Sequence, residues 1–82
     1  MKIKAFNYTA VFQKEHEGGF TVTVPALPGC VTYGKNLTEA KKMAVEAIEL
    51  YIESLKDHKE EIPEEKETFY SQISIASSFN NA

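Results

Sequence analysis

Residues 20–34 read FTVTVPALPGCVTYG, and this stretch decides the fold of the chain. Its first five residues alternate between apolar residues and threonine, which is the period-two pattern of a half-buried strand. Pro25 and Pro28 then fix φ twice and withhold two backbone donors, so the strand must stop there. Cys30–Tyr33 starts a further short strand. The stretch therefore predicts two antiparallel strands joined by a stiff turn.

A preceding strand is predicted over Ala5–Gln13, because Phe6, Tyr8, Ala10 and Phe12 alternate with more polar neighbours. The polar residues 14–19, which end in two glycines, predict a hairpin turn between this strand and the next. Together the three strands form an antiparallel meander.

One long amphipathic helix is predicted from Asn36 to about Lys59. Asn36 stands three residues before Glu39, which is the spacing of an N-cap side chain and its reciprocal carboxylate. The apolar stripe of the helix is formed by Ala40, Ala44, Ala47, Ile48, Tyr51, Ile52 and Leu55. Since the alanines come first, the helix is expected to approach the sheet most closely near its beginning.

Period-two alternation resumes after Ile62-Pro63, over Phe69–Ile75, and predicts a fourth strand. A strand-helix-strand connection is long enough for a parallel, right-handed crossover. The predicted fold class is therefore α+β with the order β-β-β-α-β and one helix packed on one face of the sheet. Residues 1–77 are expected to form a single domain, and residues 78–82 a polar tail.

Composition limits the classes of function. The chain has 82 residues, a net charge of −3 and no arginine, so it lacks a basic stripe for a nucleic-acid backbone, and direct RNA binding is not expected. The lone Cys30 gives no disulfide framework, and no apolar run is long enough to span a bilayer, so a cytoplasmic protein is expected. A sheet this small leaves edges to cover, which favours a homo-oligomer.

The sequence predicts no catalytic arrangement. The order β-β-β-α-β is also the core of ribonuclease H-like nucleases, but the predicted strands lack the carboxylates that would hold Mg²⁺. Cys30 with His16 or His58 would be a thiol-imidazole pair, yet neither histidine belongs to a motif, and a packing cysteine is favoured. We therefore predict no catalytic residue, no cofactor-binding residue and no metal site.

A set of positions between about residues 4 and 64 keeps a characteristic order and spacing: Val24, Pro25, Leu27, Pro28, Gly29, Cys30, Gly34, Glu39, Ala40, Ala44, Ala47 and Pro63. This constellation resembles the HicB-type antitoxins of type II toxin-antitoxin systems. The resemblance implies a partial ribonuclease H-like fold without catalytic carboxylates. It also implies a partner of HicA type, a small basic ribonuclease whose active and RNA-binding surface the antitoxin covers. Ala26, Lys35 and Glu65 depart from the family pattern.

Many members of that family continue into a DNA-binding domain, and this sequence ends after its predicted fourth strand, so operator binding is not expected. Candidate toxin contacts are Glu46, Glu49 and Glu53 as an acidic contribution, with Leu27 and Tyr33 as apolar anchors. A structural role stays open for both anchors, because the proline turn can pin Leu27 against the core and aromatic packing within a small sheet accounts equally well for Tyr33. Two other readings stay open at this point. One is a self-associating regulatory or binding module of the same fold, and the other is a ribonuclease H-like nuclease.

Overall fold

Three strands and one helix form the ordered body of the protein in a computed structural model that describes residues 5–78. The elements, in chain order, are β1 Val11–Lys14, β2 Phe20–Thr23, β3 Val31–Gly34 and α1 Leu37–Asp57. Both strand pairs are antiparallel and the sheet order is β1-β2-β3. The predicted α+β class, the antiparallel meander and the single long helix are confirmed.

The hairpin between β1 and β2 is closed by backbone hydrogen bonds across its turn. The Glu15 amide donates to the Gly19 carbonyl at 2.9 Å, and the Gly18 amide donates to the Glu15 carbonyl at 3.1 Å. Gly18 has a φ of 109°, a backbone conformation that residues with a Cβ rarely adopt. The turn aligns Phe12 with Val22, so that the helix-facing side chains of the two strands share one face.

The proline loop, residues 24–30, is made of two consecutive turns. The Leu27 amide donates to the Val24 carbonyl and the Cys30 amide donates to the Leu27 carbonyl, each at 2.9 Å. The Val24 amide then closes the loop by donating to the Cys30 carbonyl at 3.1 Å. Proline has no backbone N–H, and accordingly the donors of all three hydrogen bonds are residues other than the two prolines. The loop is therefore a closed, stiff connection between β2 and β3.

The helix begins as predicted at Asn36, whose side-chain oxygen accepts from the Glu39 amide at 2.8 Å. In the reciprocal bond the Glu39 carboxylate was expected to accept from the Asn36 amide. It accepts instead from the amide of the preceding residue, Lys35, at 2.9 Å. At the other end the His58 amide donates to the Ser54 carbonyl at 3.1 Å. Lys59 follows with a φ of 56°, which turns the chain out of the helix.

The core lies between α1 and the β2–β3 side of the sheet. One cluster joins Val22 to Ala40 and Ala44, and a second joins Val24, Leu27 and Cys30. The expected close approach occurs where α1 crosses Gly34. A Cβ at that position would lie 2.3 Å from the Ala40 nitrogen, so only glycine lets the helix backbone reach the strand.

Two strand predictions differ from the structure. Of the strand predicted over Ala5–Gln13, only the part from Val11 onward pairs with β2. The fourth strand predicted over Phe69–Ile75 is not seen in the described part of the chain: residues 60–78 contain no helix or strand, and they pair with neither edge of the three-stranded sheet. The ribonuclease H-like topology requires that strand and stays a prediction. So does the domain division, since residues 79–82 of the predicted tail lie outside the described residues.

We predict that Gly34→Ala lowers the free energy of unfolding by about 3 kcal/mol, because the added methyl group must push the helix backbone away from β3. Urea denaturation followed by circular dichroism measures this change. Gly29→Ala is the matched control, since a Cβ there meets open space and costs only backbone strain at a φ of 83°, about 1 kcal/mol. Equal losses in the two variants would contradict the close approach.

Candidate functional site

An acidic surface lies on the outer side of α1. Glu46, Glu49 and Glu53 are all exposed, as expected, and their spacing of three and four residues places them side by side on one helix face. Ala40 and Ala44, the buried residues of the helix, face the sheet instead. The three carboxylates are therefore free to meet a partner without any rearrangement of the core.

Val45 and Leu50 are exposed apolar residues on the helix that the sequence analysis did not single out. Leu50 is 67% exposed and Val45 is 56% exposed, although both belong to the helix that covers the core. Leu50 is four residues after Glu46 and three before Glu53, so it lies among the carboxylates. Their exposure could have been predicted from the sequence, because neither Val45 nor Leu50 belongs to the apolar stripe of the helix. We call Glu46, Glu49, Leu50 and Glu53 the acidic helix surface.

Leu27 is not on the surface. It is fully buried, in the cluster with Val24 and Cys30, and the half-buried Ile48 packs against this cluster from the helix. The Tyr51 hydroxyl donates to the Pro28 carbonyl at 2.7 Å and ties the helix to the same loop. Leu27 thus holds the proline loop from within, and in this structure it cannot be an apolar anchor for a partner.

Tyr33 lies on the sheet face that the helix leaves open. Its neighbour Gly34 faces α1, so the alternation of β3 turns Tyr33 the other way, and the side chain is 48% exposed. The hydroxyl donates to the Gly18 carbonyl at 2.9 Å, and the ring lies against Gly19. Tyr33 is therefore accessible, and it also braces the β1–β2 turn.

The predicted contact residues consequently do not form one patch. The carboxylates lie on the outer side of the helix, Leu27 lies in the core, and Tyr33 lies on the opposite side of the sheet. A partner that covers the acidic helix surface alone would leave Tyr33 uncovered. The acidic helix surface, with Leu50 beside its carboxylates, is the stronger candidate because charge and apolar area adjoin there.

The thiol-imidazole pair is not assembled. Cys30 is buried, and burial raises the pKa of its thiol, so it stays protonated and is a poor nucleophile. His16 lies in the β1–β2 turn, while the Nδ1 of His58 is 2.7 Å from the Ser54 carbonyl at the helix end. Within residues 5–78, no three His, Cys, Asp or Glu side chains gather as metal ligands would. The described helix is also unsuited to crossing a membrane.

A polar clamp joins the segment after the helix to the segment before β1. The Glu65 carboxylate accepts from the Thr9 amide at 2.6 Å and from the Thr9 hydroxyl at 2.5 Å, and the Tyr8 hydroxyl donates to the Pro63 carbonyl. These bonds to Thr9 lower the pKa of Glu65. Burial, followed by the nearby Glu64 and Glu65 charges, raises the pKa of Tyr8, which keeps its hydroxyl a donor.

Comparison with known proteins gives a consistent family. The family described as the HicB_like antitoxin of bacterial toxin-antitoxin systems matches residues 8–81. A UPF0150 protein of Thermoplasma acidophilum is 54% identical over 56 residues, which cover 68% of this chain and 81% of that protein. A UPF0150 protein of Synechocystis is 43% identical over 60 residues, covering 73% and 76% of the two chains. A 14.9 kDa protein of Haemophilus phage HP1 is 39% identical over 68% of this chain and 41% of its own length.

The lowered pKa of Glu65 predicts the pH at which the clamp opens. Because the carboxylate is stabilised in the folded chain, the clamp is complete above the ordinary Glu pKa of about 4.3 and is lost as pH falls through the lower folded value. The chemical shift of the Thr9 amide in two-dimensional NMR should titrate with a midpoint below about 4.3. In Glu65→Gln that titration should disappear, whereas Glu67→Gln, at an exposed position, should keep it. A midpoint at the ordinary value would contradict the clamp.

Proposed function

Because this chain belongs to the HicB-like antitoxin family of bacterial toxin-antitoxin systems, we propose that it binds and neutralises a HicA-type toxin. The match over residues 8–81 is the observation that carries this proposal, since it includes the sheet, the helix and the segment beyond it. The toxin is expected to be a small basic ribonuclease, which is the partner that the family resemblance implies. The role proposed for this chain is binding, without catalysis.

Electrostatic attraction supports the choice of partner. A ribonuclease must attract RNA phosphates and therefore carries a basic surface, and the acidic helix surface offers carboxylates to the same surface. The antitoxin would then compete with RNA for the basic surface and cover the catalytic centre. Inhibition by this mechanism is steric and electrostatic, and it needs no metal ion or cofactor in the antitoxin.

The acidic helix surface is suited to such a contact for two reasons. The helix backbone is fixed by the packing of Ala40 and Ala44 on the sheet, so little ordering of the main chain is needed when a partner binds. Leu50, which is 67% exposed beside the carboxylates, offers apolar area that the contact would bury. Tyr33 remains a proposed second contact on the open sheet face.

The proposal is tested by recovering the partner. The tagged chain is purified from its source cells, proteins that accompany it are identified by mass, and ribonuclease activity is measured before and after denaturing separation. Recovery of a small basic protein that cleaves RNA only once it is freed would support neutralisation. Recovery of no such protein, or cleavage by this chain alone, would contradict it.

We predict that the variant Glu46→Lys, Glu49→Lys, Glu53→Lys binds the recovered toxin at least about tenfold more weakly at low salt. Charge reversal turns attraction into repulsion and should also flatten the dependence of the affinity on ionic strength. Surface plasmon resonance at several salt concentrations measures both effects.

Two controls accompany this variant. Glu60→Lys, Glu61→Lys, Glu67→Lys changes the net charge equally at exposed positions beyond α1, and it should retain most of the affinity. Tyr33→Ala tests the open sheet face, and a loss comparable with that of the helix variant would show that the toxin contacts this face too. Unchanged affinity of the helix variant at low salt would remove the acidic helix surface from the interface.

A further inference from the structure

The segment 68–76, which we call the arm, extends away from the folded body with its apolar side chains in water. Phe69 is 83% exposed, Ile73 is 76% exposed and Ile75 is 81% exposed. The chain has a radius of gyration of 16.9 Å and a longest dimension of 65 Å, whereas a compact chain of this length has a radius of gyration of about 12 Å. The arm therefore contributes length to the molecule without contributing to its core.

The arm has the alternating sequence of a strand whose apolar face packs against a partner. Phe69, Ile73 and Ile75 alternate with Tyr70, Gln72 and Ser74, and aromatic and β-branched residues favour strands. Residues 68–78 carry no charge, although residues 56–67 just before them are densely charged. An uncharged, alternating, exposed strand readily pairs with the edge of a sheet. To become a strand, the arm therefore needs a sheet edge with which its backbone can form hydrogen bonds.

The body of the same protein offers such an edge at β1. Among residues 5–78 the sheet order leaves the outer side of β1 unpaired, and α1 packs chiefly against β2 and β3. Phe12, the helix-facing residue of β1, is consequently only half-buried. A fourth strand beside β1 would place apolar side chains next to Phe12 and under the uncovered flank of the helix.

The arm of the same chain is directed away from that edge. The clamp of Glu65 on Thr9 holds the chain just before β1, and Lys66, Thr68 and Tyr70 then line a hollow together with Pro25 and Ala26. The chain therefore crosses the end of the sheet near the proline loop and does not run along β1. Within the described residues, its own β1 edge is therefore left open while its arm is left uncovered.

We propose that the arm of one chain adds as a fourth strand to the β1 edge of a second copy, reciprocally in a two-fold dimer. The two surfaces belong to the same molecule, so one symmetric exchange covers both. The three large side chains on one face of each arm represent roughly 450 Å² of surface, and two exchanged arms with the edges they cover would bury about 1,800 Å², the size of a stable interface.

Charge favours a second copy over a basic protein as the occupant. A basic partner would be attracted by the acidic helix surface, whereas the arm has no carboxylate to offer it. The residues of β1 are equally uncharged up to Lys14, so an uncharged arm meets an uncharged edge. The dimer contact and the proposed toxin contact would then use different parts of the molecule.

Sedimentation equilibrium at about 50 µM tests the exchange against a chain mass of 9.2 kDa. The wild-type chain should be a dimer. Ile73→Asp, Ile75→Asp should weaken the dimer at least about a hundredfold while circular dichroism still shows the helix, since the arm is outside the core. Gln72→Asp, Ser74→Asp adds the same charge to the opposite face of the arm and should remain largely dimeric. A monomeric wild-type chain, or a dimer that survives the isoleucine substitutions, would overturn the proposal.

Cross-linking identifies which edge the arm uses. Gln13→Cys on β1 and Gln72→Cys in the arm are placed in separate chains, each with Cys30→Ala, and the mixed chains are treated with a bismaleimide. A cross-linked pair containing one chain of each kind is expected. If the two substitutions are combined in one chain and the link forms only within it, the arm folds back on its own β1 and the proposal fails. Loss of toxin binding in the isoleucine variant without loss of the dimer would also overturn it.

Discussion

The close contact of α1 with the sheet at Gly34 is the constraint on which the rest of the structure depends. Because the Ala40 backbone lies where a Cβ of residue 34 would be, the start of the helix is fixed to β3 with no space for a larger residue. Small residues thus set the position of the helix over β2 and β3. The same position leaves β1 poorly covered, so the core of one chain is thin and one flank of the sheet stays open.

The family-type positions are mostly structural when they are placed in this fold. Val24, Leu27 and Cys30 form a buried cluster, and Pro28 receives the hydrogen bond of Tyr51 through its carbonyl. The proline loop is therefore a rigid support for the helix and not an exposed binding loop. Contact with a partner falls to surfaces that the pattern does not specify, and in our proposals these are the acidic helix surface for the toxin and the arm for a second copy.

The candidate site was predictable from sequence only in part. Helical spacing predicted that Glu46, Glu49 and Glu53 share an exposed face, because i, i+3 and i+7 positions are neighbours on any helix. Sequence left two roles open for Leu27, since a leucine between two prolines is compatible with either an exposed or an inward-facing turn. It also gave no sign of the bond between Glu65 and Thr9, which are 56 positions apart and meet only once the chain is folded.

Local patterns by themselves determined the three strands, the closed proline turn and the helix with its Asn36 cap, because each depends on the alternation, φ restriction or capping of residues close in sequence. The strand predicted over Ala5–Gln13 overlaps β1 only at residues 11–13, since residues 5–10 do not pair with β2 and the strand continues to Lys14. The alternation over Phe69–Ile75 gave the arm the character of a strand without giving it a partner. Which edge pairs with an alternating segment is decided by tertiary structure alone, because a strand acquires its hydrogen bonds from residues distant in the chain or in another molecule.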